Sequence, residues 1–221
     1  MQRCYDIVTF DCYGTLIDWD SGIAGAFLDA AAADGVRLER TAVLAAHAAV
    51  EPRVQQAGYR SYRRVLEETA RRVAARLGWS LHADRTAFLA ESLPRWPTFP
   101  DTNPALQRLA AAGYALGILS NVDDDLLAAT LRRLQVEFEL LVTAERVRSY
   151  KPAREHFLDA RRRVGDRRWL HAAQSHFHDV TPAVELGIPV AWINRTASPP
   201  GGPARADREV HDLAELADWL C

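Results

Sequence analysis

Short apolar runs recur along this chain at residues 5–10, 115–119, 140–143, 169–173 and 190–193, and helix-patterned stretches separate the last four. Strands buried on both faces read as continuous apolar runs, and strand–helix alternation of this length predicts a parallel sheet with helices on both sides. The helices are expected at 103–112, 124–134, 153–164 and 182–186, with a terminal helix at 213–220. Residues 198–208, rich in proline and glycine, read as a surface loop before that last helix.

Between the first strand and the rest the pattern changes. Residues 23–33 and 41–50 are alanine-rich, and 59–77 set Val65, Leu66, Ala70 and Val73 among Arg and Glu at helical spacing. Pro94, Pro97 and Pro100 then mark the return of the chain, since each proline removes a donor and restricts the residue before it. The expected fold class is therefore α/β: a Rossmann-like parallel-sheet core (1–16 and 98–221) with an inserted all-helical cap (17–97).

With 27 basic and 29 acidic side chains the formal charge is −2, which gives no basic excess for nucleic acid or an acidic membrane surface. No run approaches the roughly 20 apolar residues of a membrane span. Cys4, Cys12 and Cys221 are spaced like neither a disulfide framework nor a zinc site. A cytoplasmic protein acting on a small organic acid is expected, and the sequence leaves a homodimer open.

In an open parallel sheet the C-terminal strand ends converge on one crevice. Four groups fall there: Asp11 after the first strand, Ser120-Asn121 after the second, Lys151 beyond the third and Asp179 beyond the fourth. Lys151 is the only lysine, every other basic position being arginine, which marks it as the position where a compact ammonium is expected to have a use. Each position also has an ordinary structural reading: Asp11 as a turn aspartate, Lys151 as a surface lysine, and Asp179 as a helix cap before Thr181-Pro182.

Phe10-Asp11-Cys12-Tyr13-Gly14-Thr15-Leu16, Leu119-Ser120-Asn121, Tyr150-Lys151-Pro152 and the Asp179 segment, in this order, resemble the four motifs of the haloacid dehalogenase superfamily. The resemblance implies that Asp11 attacks carbon and forms an ester that water hydrolyses. By the same resemblance Lys151 keeps Asp11 ionised and Asp179 orients Lys151 and activates water. Thr15 and Ser120 would hydrogen-bond the nucleophile, and Asn121 would bind substrate.

The superfamily's phosphatases carry an aspartate two residues after the nucleophile, where this chain has Tyr13. A halide leaves without a proton, so the missing acid suits carbon–halogen displacement, and the pattern resembles the L-2-haloacid dehalogenase branch. Those phosphatases also hold magnesium with an early motif-four carboxylate, a place filled here by Gln174-Ser175-His176. No metal or cofactor is therefore expected, magnesium belonging only to the phosphatase alternative.

Three departures bear on the substrate. The cap stretch where haloacid dehalogenases place an arginine reads Ala45-Ala46-His47-Ala48-Ala49-Val50-Glu51-Pro52-Arg53, leaving His47 or Arg53 as substitutes. The Ser-x-Asn pattern of motif four is absent, and Phe157 replaces a tyrosine six residues after the lysine. Residues 10–23, 96–101 and His178-Asp179 are also similar to azetidine-2-carboxylate hydrolases of the same superfamily, which open a strained ring. Tyr13, His176 and His178 join the substrate-binding candidates, the histidines as neutral partners for an ammonium. His171, His176, His178 and Asp179 fit no firm zinc spacing. A non-catalytic binding protein on the same fold is the remaining alternative.

Overall fold

The computed structural model describes residues 3–56 and 58–221. Six parallel strands form one sheet: β1 (Ile7–Phe10), β2 (Ala115–Ser120), β3 (Leu140–Thr143), β4 (Trp169–Ala173), β5 (Val190–Ile193) and β6 (Arg208–Val210). Their order is β3-β2-β1-β4-β5-β6. The connection direction reverses at β1, which lies between β2 and β4, so the crevice beyond the end of β1 is where such a sheet binds ligands.

The sixth strand corrects the sequence reading, which ended the sheet at 190–193. It pairs through Ala191↔Arg208 to Ile193↔Val210, and only Val210 of its three residues is buried. An edge strand with one inward apolar side chain carries too little periodicity to be seen.

Helices α1 (Trp19–Ala33), α2 (Arg40–Gln55), α3 (Tyr62–Arg76) and α4 (Phe88–Ser92) lie between β1 and β2 in the chain. The sequence reading stopped the second of these at residue 50, but α2 continues through Pro52 to Gln55. The strands of the core are covered by α5 (Thr102–Ala111), α6 (Asp124–Leu131), α7 (Ala144–Val147), α8 (Glu155–Val164), α9 (Thr181–Glu185) and α10 (Leu213–Leu220). No helix among the described residues is long and apolar enough to cross a membrane.

Alternation along β1 divides the core. Val8 and Phe10 pack in a cluster that runs on into the helical segment through Phe27, Val65 and Leu66, whereas Ile7 packs with Val142, Phe157 and Val190 on the other face. The two chain crossings between sheet and cap run side by side. Ile17 bridges Thr98, and Asp18 N–H donates to the Pro97 carbonyl at 2.8 Å.

Two further contacts fasten the helices over the sheet. The buried Asp123 carboxylate, just beyond β2, accepts the Tyr62 and Arg63 backbone N–H groups at 2.7 and 2.9 Å, satisfying open donors at the start of α3. Gly22 in α1 meets the Trp96 ring so closely that a Cβ there would lie 2.2 Å from the indole.

Candidate active site

β1 ends at Phe10, Asp11 follows it directly, and the chain then turns through Gly14, whose φ of +94° is open to glycine at little cost. The turn brings Thr15 back onto the strand end, where its hydroxyl donates to Asp11 Oδ2 at 3.0 Å and accepts the Gln174 N–H at 2.9 Å. On the other oxygen, Lys151 Nζ donates to Asp11 Oδ1 at 2.9 Å.

Lys151 reaches the carboxylate from the loop between α7 and α8. Its ammonium also donates to the Leu119 carbonyl at 2.9 Å and to Asp179 Oδ1 at 2.6 Å. All three of its protons are thus engaged by protein acceptors. The Asn121 side chain clamps the same loop, accepting from Lys151 N–H at 2.7 Å and donating to the Lys151 carbonyl at 3.0 Å. Asn121 borders the cavity, but both ends of its amide are tied to Lys151 rather than open to a ligand.

A buried relay lies behind Asp179. Parallel register sets Thr9 beside His171, and His171 Nε2 meets Asp179 Oδ1 at 3.1 Å while Nδ1 meets Thr9 Oγ1 at 2.9 Å. Trp169 Nε1 donates to that threonine oxygen at 2.7 Å. With the oxygen accepting from tryptophan, the hydroxyl proton is free to go to Nδ1, which leaves the proton of a neutral His171 on Nε2, facing the carboxylate. The relay fixes Asp179 from behind and leaves its Oδ2 buried without a partner.

Two carboxylates sharing one ammonium titrate as a unit. Burial opposes the charge on Asp179, but Lys151 and His171 more than offset it and hold its carboxyl at about 2. Burial pushes Asp11 upward; the Lys151 ammonium opposes that shift, and the Asp179 charge adds to it. On acidification the first proton therefore goes to Asp11. Lys151 is pushed up: its burial works against the ammonium, and the two carboxylates overcome it.

These groups line a cavity of about 220 Å³, together with Ser120, Gln174, Ser175 and His178. Ser120 Oγ is buried and bonds neither Asp11 nor any other described group, so it does not hold the Asp11 carboxylate as the motif reading expected. His156 braces this strand end, its Nε2 meeting the Ser120 carbonyl at 3.1 Å, and burial together with the Lys151 charge lowers its pKa to about 3. His178 Nδ1 meets the Ser175 hydroxyl at 3.0 Å, and the same oxygen accepts the His178 N–H at 3.0 Å. Tyr13 offers the cavity its ring; its hydroxyl pairs with Thr130 at 2.8 Å, and burial raises the phenol well above its ordinary range.

Three substrate-binding expectations are corrected. His47 is buried against Trp19, with ring centres 5.9 Å apart, and does not border the cavity; burial lowers its pKa to about 4. Arg53 is exposed and lies outside the cavity wall. His176 packs on Trp192 with Nε2 on the Ala204 carbonyl at 3.2 Å, away from Asp11. The sequence reading gave no role to Trp19, Glu51, Gln55 and Tyr62, which also line the cavity.

The Lys151 ammonium supplies a positive charge to both Asp11 and Asp179, and the described residues contain no group of three His, Cys, Asp or Glu side chains able to hold a metal.

The haloacid dehalogenase-like hydrolase model matches residues 5–173. The chain belongs to this family. An (S)-2-haloacid dehalogenase of Pseudomonas putida is 27% identical over 217 residues, covering 96% of this chain and 95% of that one. A second from the same species, (S)-2-haloacid dehalogenase H-109, is 30% identical over 73% of this chain and 74% of its own. Among crystal structures, that of an L-2-haloacid dehalogenase superposes with a TM-score of 0.86 at 23% identity, covering 98% of both chains, and shows the shared fold. Within this haloacid dehalogenase-like hydrolase, the strand-end carboxylate Asp11, the lysine and Asp179 all lie on one cavity wall.

Proposed function

We propose that this hydrolase displaces a leaving group from a saturated carbon of a small carboxylic acid, without a metal ion, in the manner of an (S)-2-haloacid dehalogenase. The observation that carries the reading is Lys151 Nζ held between Asp11 and Asp179 at 2.9 and 2.6 Å, with no carboxylic acid two residues after the nucleophile.

One Asp11 oxygen attacks the substrate carbon, the carbon–halogen bond breaks, and halide departs with its electron pair. The product is an aspartyl ester. Lys151 keeps Asp11 anionic, and burial strips it of water, which makes it the better nucleophile. Asp179 Oδ2 then takes a proton from water, the hydroxide attacks the Asp11 carbonyl carbon, and the 2-hydroxy acid leaves as the carboxylate re-forms. The new Asp11 oxygen comes from water.

The test is halide release from L-2-chloropropionate in excess chelator, with single turnover in heavy-oxygen water followed by mass analysis of the peptide holding Asp11. Chelator-resistant release with label on Asp11 is expected. Label found directly in product and absent from the enzyme excludes the ester; hydrolysis of an aryl phosphate alone, and only with magnesium, overturns the reading.

A further inference from the structure

Haloacid displacement makes no use of one carboxylate in the cavity. Glu51 lines the same wall as Asp11 and is only 6% exposed. Its Oε1 accepts from Gln55 Nε2 and from the Tyr62 hydroxyl at 3.4 Å. Its Oε2 accepts from none of the described residues, and no lysine, arginine or histidine among them forms an ion pair with it. Two donors converging on one oxygen leave the second, Oε2, for a ligand.

The rest of the wall points the same way. Tyr13, Trp19 and Tyr62 surround the cavity, and a buried carboxylate among aromatic rings is a setting that favours an organic cation. Among the described residues Lys151 is the only lysine or arginine in the wall, and its three protons are committed to Asp11, Leu119 and Asp179. A plain anionic acid entering here meets three carboxylates and no free cation. Its carboxylate is left with neutral donors, foremost the unpartnered Ser120 hydroxyl.

We propose that Glu51, with the Tyr13, Trp19 and Tyr62 rings, selects substrates that carry a protonated amine close to the carbon attacked by Asp11, making small amino acids the preferred class over simple haloacids. This rests on the displacement reading above and narrows its substrate. The amine is either a neighbour of a carbon–halogen bond or, in a strained cyclic amino acid, the leaving group itself. In the cyclic case the carbon–nitrogen bond breaks as Asp11 forms its ester, and nitrogen takes the bonding pair to leave as a neutral amine. Ester hydrolysis releases one proton, which restores the ammonium, so no outside acid is needed.

The test compares kcat/KM for L-2-chloropropionate, 3-amino-2-chloropropionate and azetidine-2-carboxylate in wild type and Glu51→Gln. Wild type is expected to favour at least one amine-bearing acid by about tenfold or more. Glu51→Gln should lower that activity on the order of 100-fold, as expected when one partner of a desolvated charge pair is removed, and raise turnover of chloropropionate. Preference for chloropropionate in wild type, or an equal loss on all three in the variant, overturns the assignment.

Calorimetry with the unreactive pair L-2-aminobutyrate and butyrate separates this inference from the mechanism. Tighter binding of the zwitterion that is lost in Glu51→Gln supports the ammonium site even if no probe is turned over, in which case the displacement reading falls alone. Chloropropionate turnover with label on Asp11, together with zwitterion binding that is absent or indifferent to Glu51, sinks the ammonium site and leaves the displacement intact.

Discussion

Lys151 Nζ sits 2.6 Å from Asp179 Oδ1, and each side chain is only 1% exposed. Removing one partner from a buried pair leaves a charge without compensation, at a cost of about 3–5 kcal/mol. Lys151→Met is therefore expected to lose stability on that scale in urea unfolding and to lose turnover. Asp179→Asn keeps an oxygen for the ammonium but not the proton acceptor at the second position. Ester hydrolysis in that variant should slow by about 10²–10⁴-fold, and intact-protein mass spectrometry should show the adduct accumulating on Asp11. Equal slowing of ester formation and hydrolysis would confine Asp179 to holding Lys151.

In the proposed displacement Asp11 acts only when ionised, and burial with the Asp179 charge pushes its carboxyl up from 3.8. Activity should fall as pH drops through that raised value, so the acid limb of kcat/KM lies above the ordinary aspartate range. Removing the Asp179 charge lowers the pKa of Asp11. The residual activity of Asp179→Asn should accordingly carry its acid limb to lower pH. An unmoved limb in that variant would show that the two carboxylates are not coupled.

The relay behind Asp179 gives a prediction about stability and tautomer together. Thr9→Val keeps the shape of the side chain but strips Trp169 Nε1 and His171 Nδ1 of their shared partner. A buried polar group left unsatisfied costs about 1–3 kcal/mol, which thermal or urea unfolding would detect. Thr9→Ser restores the hydroxyl and should recover most of that loss and of the activity. If Thr9→Val matches wild type in both, the hydroxyl does not set the His171 proton.

The sheet and the position of Asp11 and Lys151 at its strand ends were legible because both rest on local signals: continuous apolar runs, and acidic or basic residues just past strand ends. The lone lysine singled out Lys151 before any contact was known. The relay was not legible, because Thr9 and His171 meet only through the β1–β4 register, which the chain states nowhere locally. Glu51 was missed for a different reason. Pro52 follows it, and proline inside a helix removes a backbone donor and crowds the preceding turn, so the sequence predicts a helix ending at residue 50. The helix instead continues to Gln55 and turns Glu51 onto the cavity wall, while the arginine two residues later is left in solvent. β6 escaped notice because two of its three residues are exposed.

Glu51 also leaves a signature in the pH dependence of stability. Burial raises its carboxyl from 4.5 to about 7, with only the Gln55 and Tyr62 hydrogen bonds opposing the shift. Between those values the folded protein holds on Glu51 a proton that the unfolded chain has released, so the stability contributed by Glu51 declines as pH rises through the window and levels off above it. A shift of this size corresponds to about 3 kcal/mol. Glu51→Gln has no such proton, so its stability should match wild type near pH 4.5 and exceed it by up to about 3 kcal/mol at pH 8. Asp11, Lys151, Asp179, His178 and Tyr62 share the cavity with Glu51, but they are present in both proteins and largely cancel in the difference. His47 and His156, held neutral by burial, lose stability in the opposite direction as pH falls below 6.5, and they cancel likewise. A gap between variant and wild type that stays constant from pH 4.5 to 8 would mean that Glu51 is not titrating against burial in the empty cavity.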